Sequence, residues 1–216
     1  MIVDLDLSCE LFALYDLRFL SPNTKEKNNF VLSPPEADVC VINPFWTWLD
    51  RVRRPPMKII EYRPIGIIHS PHKTPQGSPI QSSAAEGIEG CLEIFPEFAE
   101  GLEDLAGFSH IFLIYHFHLS KKFSLKVKPF LDDNRRGLFA TRAPSRPNPI
   151  GISVVRLVEI IERTLRIQNV DVVDGTPLLD IKPYVPAFDV HTVEKLGWIG
   201  EKTAKTKQVV DDGRFS

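Results

Sequence analysis

The sequence predicts a mainly β protein: a single closed or nearly closed β-barrel domain with few short helices. Three observations point there. From residue 57 onward, short runs of β-branched and aromatic residues alternate with turn signals. Only "PEFAEGLEDLAG", residues 96–107, carries a helical period, and for about two turns. The twelve glycines never fall two apart and none precedes a lysine, so there is neither a dinucleotide fingerprint nor a phosphate loop. An ordinary doubly wound nucleotide site is therefore disfavoured.

The elements follow in order. "IIEYRPIGIIHS" (residues 59–70) opens the regular region, and "GCLEIF" (90–95) follows a loop of small residues. "HIFLIYHFHL" (110–119) is apolar on both faces, which predicts a central strand with little solvent access. "FSLKVKPF" (123–130) and "GLFATR" (137–142) are shorter strand candidates, followed by "GISVVRLVEIIE" (151–162), "RTLRIQNVDVV" (163–173) and "LLDIKPY" (178–184).

The chain has 216 residues, 43% hydrophobic and 25% charged, enough for one globular domain and an appendage. Residues 1–56 hold six of the 18 prolines and two of the three tryptophans with no sustained period. They read as an irregular N-terminal extension; the competing reading is a start at Met57, the only methionine besides Met1. The barrel domain is expected over 57–195 and a polar C-terminal tail over 196–216, wrapping the surface or fraying. Cys9, Cys40 and Cys91 are odd in number and lack a C-x-x-C pair, which predicts a reduced, cytoplasmic protein without a zinc site. The acidic first residues do not read as a signal peptide, and no apolar run is long enough to span a bilayer, so no membrane association is expected. A net charge of −2 gives no global basic field, so a nucleic-acid partner must meet a local patch such as "KKFSLKVK" with "NRR".

The strongest chemical signal is "GLFATRAPSRPNPIGIS", residues 137–153. Pro144, Pro147 and Pro149 fix their own φ and push Ala143, Arg146 and Asn148 toward extended backbone, so the loop is rigid without secondary structure. A rigid loop loses less entropy on binding, and the donors of Arg142, Ser145, Arg146 and Asn148 suit an anion or carboxylate. In "NVDVVDGTPLLDIKPY", Asp174-Gly175 marks a tight turn, and the two-residue period puts Asp180, Lys182 and Tyr184 on one strand face. A solvated polar face explains that alternation equally well. His116 and His118 have a metal-compatible spacing on one strand face, but no carboxylate companion lies nearby, so no metal is expected.

In this order and spacing, "IGIIHSPHKTP", "GLEDLAGFSHIFLIYHFH", "GLFATRAPSRPNPIGIS" and "DVVDGTPLLDIKPY" resemble the TsaA-like (TrmO-type) methyltransferase family over about residues 60–190. The resemblance implies a dimeric β-barrel enzyme that uses S-adenosyl-L-methionine and methylates N6 of threonylcarbamoyladenosine beside the anticodon of tRNA. It implies cofactor contacts at Gln81, Ser82, Ser83, His118, Leu119, Arg142, Ile152, Val170 and Asp171. From the donors of the Pro-rich loop, Arg146 and Asn148 are expected on the acceptor side, with Arg146 or Lys182 holding the threonyl carboxylate. The family often carries Pro-Arg-Gln in the first of these loops, where "SPIQSS" here has Ile80 in place of the arginine. The acceptor N6–H must lose its proton, and Asp180, Lys182 and Tyr184 are the acid–base candidates, with stacking on the base the alternative for Tyr184. Two other readings stand beside this one: a non-catalytic S-adenosyl-L-methionine-binding regulatory module, and a methyltransferase for a small molecule.

Overall fold

The structure, a computed structural model, describes residues 58–215. The expected extension over 1–56 and the boundary at Met57 lie outside the described residues. Six strands close into an all-antiparallel barrel: β1 (Gly66–His69), β2 (Glu89–Ile94), β3 (His110–His116), β6 (Ile150–Ile161), β7 (Thr164–Gln168) and β8 (Thr176–Pro183). The order around it is β1-β2-β7-β6-β3-β8, with β8 returning to β1. A small hairpin of β4 (Lys126–Val127) and β5 (Arg136–Gly137) stands apart.

The period of two explains the interior. In β3, Ile111, Leu113 and Tyr115 point inward, and in β6 Gly151, Ser153, Val155 and Leu157 do the same. They pack with Ile68, Leu92, Ile94, Leu165, Ile167 and Leu178, each at most 1% exposed. Each such aliphatic side chain contributes roughly 1.5–3 kcal/mol by leaving water. A one-residue slip would turn that whole set outward, which is what fixes the register. Gly151 is required by packing: a Cβ there would sit 2.3 Å from a ring carbon of Tyr115. Gly175 is required by backbone, its φ of 75° closing the turn into β8.

Several expectations change in the folded chain. "PEFAEGLEDLAG" forms two 3-10 segments, Pro96–Leu102 and Leu105–Gly107, because Asp104 between them takes a left-handed φ of 62° that an α-helix cannot continue. "GLFATR" yields only the last residue of β5 and a 3-10 turn, Leu138–Ala140, and "FSLKVKPF" only the two residues of β4. β3 is central, between β6 and β8, but its outer face is only half-buried. After β8 comes one short helix, α1 (Pro186–Asp189). Among the described residues, no helix is long and apolar enough to cross a membrane, and no group of three or more His, Cys, Asp or Glu side chains is placed to hold a metal ion.

Residues 196–215 do not fray. Val210 bridges Pro79, Gly77 N donates to the Asp211 carbonyl at 2.7 Å, and Asp211 N donates to the Ser78 carbonyl at 2.9 Å. The Trp198 indole N–H donates to the Ala140 carbonyl at 2.7 Å, and Phe215 packs edge-on against Phe130. Buried Asp132 ties this segment down through Lys202 at 2.9 Å and Arg136 at 2.5 Å, the two cations that also face the Trp198 ring. The Lys202 ammonium, with Arg136 beside it, holds the Asp132 carboxyl far below the usual carboxylate range.

Candidate functional site

A cavity of about 1000 Å³ lies beside the ends of β3 and β6. Its walls come from five further segments: the loop around residues 75–83, residues 129–131 between β4 and β5, the Pro-rich loop, the stretch 171–173 after β7, and the segment 196–215. Seven of the expected cofactor residues meet in the lining: Gln81, Ser83, His118, Leu119, Arg142, Ile152 and Asp171. Ser82, which opens the 3-10 turn Ser82–Ala84, and Val170, fully buried in the barrel core, are not part of it.

The Pro-rich loop is braced largely by itself. Arg146 Nη1 donates to the carbonyls of Thr141 at 3.0 Å and Ala143 at 3.4 Å, and its guanidinium lies over the Phe139 ring. Ser120 Oγ donates to the Pro144 carbonyl at 3.2 Å. Arg146 lines the cavity, while exposed Asn148, two residues further along the same loop, lies outside the lining. Arg142 is exposed and spends one N–H on Gln81 Oε1 at 2.8 Å, which joins the Pro-rich loop to the 75–83 loop across the cavity mouth.

At the other wall runs a chain of hydroxyls. Ser153 Oγ donates to Asp171 Oδ1 at 2.7 Å, so the Tyr115 hydroxyl, 3.1 Å away, donates to Ser153 Oγ. Burial pushes the Asp171 carboxyl up to about 6; the Ser153 hydroxyl, its own backbone N–H and the charges of His72 and Arg142 pull the other way. The same burial, with Asp171 nearby, pushes the Tyr115 phenol above its ordinary range. His118 touches Thr176 Oγ1 through Nδ1 at 3.3 Å, and burial together with the charge of His116 lowers its pKa.

Asp180, Lys182 and Tyr184 lie outside the cavity lining. Lys182 pairs with Asp180 at 2.8 Å, and Tyr184 leans on Phe112 with ring centroids 5.4 Å apart. These contacts place the trio on the outer face of β8 beside β3, where Asp180 is the partner of Ile114 and Ile114 that of Ile152. Asp180 is thus two strand spacings, about 10 Å, from the lining residue Ile152.

Sequence reasoning passed over Tyr115, Ser153 and Thr176, and the lining residues Leu196, Trp198 and Ile199 of the tail. A signal existed for Tyr115: a phenol in an otherwise apolar buried run needs a polar partner. For the tail the sequence offers none, because its contacts join residues far apart in the chain.

The family model for the tRNA-methyltransferase O N-terminal domain matches residues 67–190, more than half the chain. The chain belongs to that family. A Pyrococcus abyssi protein named "Probable S-adenosyl-L-methionine-binding protein" is 60% identical over 157 residues, 73% of this chain and 85% of that protein. The tRNA (adenine(37)-N6)-methyltransferase of Escherichia coli K12 is 36% identical over 140 residues, 60% of each chain. A crystal structure of TrmO from Pseudomonas aeruginosa superposes with a TM-score of 0.55 at 38% identity, covering 65% of this chain and 63% of that one. The family's matched region ends before the segment 196–215, so that wall of the cavity lies beyond it.

Proposed function

We propose that the protein is an S-adenosyl-L-methionine-dependent methyltransferase acting on N6 of threonylcarbamoyladenosine next to the anticodon of tRNA. The observation that carries the reading is the meeting of seven expected cofactor residues, from separate parts of the chain, around one cavity in a member of this family. Its lining fits the cofactor. Arg142 offers a guanidinium to a carboxylate, Asp171 an acceptor to an ammonium or ribose hydroxyl, and Tyr115, Phe117, Phe139 and Trp198 aromatic surface to a sulfonium cation. When bound, the cofactor supplies an electrophilic methyl group. The protein's contribution is to hold donor and acceptor in line, which in favourable intramolecular cases contributes on the order of 7–11 kcal/mol.

The threonyl carboxylate of the acceptor is a local anion, and its carbamoyl group makes N6–H easier to remove. Arg146 and Asn148 in the Pro-rich loop, with Lys182 on the outer face of β8, are the residues we assign to that anion and its nucleotide; Asp180 and Tyr184 stand beside Lys182. The cytoplasm is the compartment such a substrate implies. Exposed Lys121, Lys122, Lys126, Lys128 and Arg135 lie on and before the β4–β5 hairpin, whose connecting residues Pro129, Phe130 and Leu131 line the cavity. They are the patch for tRNA phosphates, and binding there weakens steeply with salt. We also propose a homodimer formed through the outer strip of Phe112, Ile114, Ile152 and Val154, since Ile152 is 54% exposed there. Such an interface covers the strip and brings the Asp180–Tyr184 face close to a partner's cavity; Ile152→Asp then converts the dimer to monomer in sedimentation, and a wild-type monomer refutes it.

The test of function is transfer of labelled methyl to tRNA that carries threonylcarbamoyladenosine and to the same tRNA with plain adenosine. The reading expects label in the first and little or none in the second. Equal rates contradict the substrate assignment. Cofactor binding without transfer to either favours the regulatory module, the reading to which the name of the Pyrococcus abyssi relative is confined.

A further inference from the structure

We infer that His118 takes the proton from the acceptor nitrogen, and that Thr176 is the positioning residue that fixes the ring tautomer needed for this. The inference rests on the methyltransferase reading. It starts from a hydroxyl whose proton is already committed. Thr176 is 3% exposed, and its Oγ1 donates to the Val173 carbonyl at 2.6 Å; a carbonyl only accepts, so the hydroxyl proton lies on that bond. Oγ1 therefore has only lone pairs to offer His118 Nδ1 at 3.3 Å, and Nδ1 must carry the ring proton. In a neutral imidazole, that leaves Nε2 as a bare acceptor. His118 and Thr176 both line the cavity.

The surroundings favour the neutral ring. The charged and titratable groups around the cavity are Tyr115 on β3, Asp171 after β7, Arg142 and Arg146 in the Pro-rich loop, and Lys207 and Asp211 in the C-terminal segment. Burial, and secondly repulsion from His116 two residues before it, act to keep His118 unprotonated. A neutral ring also avoids setting a second cation against a sulfonium. The step balances as follows. The acceptor N6 forms its bond to the methyl carbon while the carbon–sulfur bond breaks and leaves its electron pair on sulfur. The N6–H proton passes to the Nε2 lone pair, and the resulting imidazolium returns it to water after the product leaves. The Asp180–Lys182 pair, outside the cavity lining, is not needed for this transfer.

Nitrogen-15 NMR of the full chain labelled at histidine reads the tautomer without any turnover. The expected result is His118 protonated on Nδ1, with its ring titrating below an ordinary histidine. Protonation on Nε2, or a charged ring at neutral pH, overturns the inference even if the wild type methylates tRNA. On the same substrate, His118→Gln should lower kcat roughly 10²–10⁴-fold and remove the acid limb of the pH profile, with cofactor affinity by calorimetry changed only a few-fold. A loss of affinity as large as the loss of rate would assign His118 to cofactor contact instead. Thr176→Val should let the ring take the other tautomer and slow the reaction, and Thr176→Ser should restore both; a Thr176→Ser variant as slow as Thr176→Val overturns the positioning role. Absence of transfer by the wild type, with the Nδ1 tautomer in place, refutes the methyltransferase reading and the proton step together.

Discussion

Replacing Asp171 by Asn tests the electrostatics of the cavity in the protein's own stability. Burial raises this carboxyl from 3.8 to about 6, a shift of about two units. At about 1.4 kcal/mol per unit, ionising it costs the folded state about 3 kcal/mol. Because the folded pKa lies above the unfolded one, the stability linked to this group is complete below about pH 4 and is lost as pH rises through about 6. Asn cannot ionise, so the variant is spared that loss. Urea unfolding of both full-length proteins at half-unit steps should show the difference moving in favour of Asp171→Asn by roughly 2 kcal/mol between pH 4 and pH 7, then levelling. A constant offset across that range, from the altered bond to Ser153 alone, would leave the reasoning intact only if it rode on this slope. A difference independent of pH, or one that moved toward the wild type as pH rose, would refute it.

Arg142→Ala should weaken S-adenosyl-L-methionine about tenfold in calorimetry, the loss of one charge-assisted contact; unchanged affinity would remove Arg142 from the site. Ser153→Ala leaves the Tyr115 hydroxyl, on a residue 5% exposed, without its partner, and should cost about 1–3 kcal/mol in urea unfolding, with much of that recovered in the Tyr115→Phe background. Gly151→Ala forces a Cβ to within 2.5 Å of Tyr115 and 2.8 Å of Phe117 ring carbons, and should destabilise by about 1–3 kcal/mol in the same assay. Trp198→Ala removes part of one cavity wall and its bond to Ala140, and should lower cofactor affinity severalfold while the barrel's circular dichroism stays unchanged.

The barrel was legible because short β-branched and aromatic runs alternate with turn signals; which face of β3 turns inward was not, since outward Phe112 and Ile114 are as apolar as inward Ile111 and Leu113. The cavity was legible where a motif is contiguous: Arg142, His118 and Asp171 each lie in a run long enough to be specific. The face shared by Asp180, Lys182 and Tyr184 was also legible, but periodicity gives a face and not a distance from the cavity. Which hydroxyl meets which carboxyl was not, since Tyr115, Ser153 and Asp171 come together only when β3, β6 and the end of β7 are in register. Nor was the wall from residues 196–215. Its anchor is Asp132, whose charge is indistinguishable in sequence from neighbouring exposed Asp133, yet the fold buries it between Lys202 and Arg136.

The central claim is that this barrel transfers methyl to N6 of one modified adenosine. Nucleoside mass spectrometry of tRNA, after incubation with the full chain and isotopically labelled S-adenosyl-L-methionine, tests it most directly. The account predicts one labelled methyl on threonylcarbamoyladenosine, located on N6 by fragmentation and absent from tRNA lacking that modification. Label on any other nucleoside, or no label in tRNA from a protein that binds the cofactor, would contradict it.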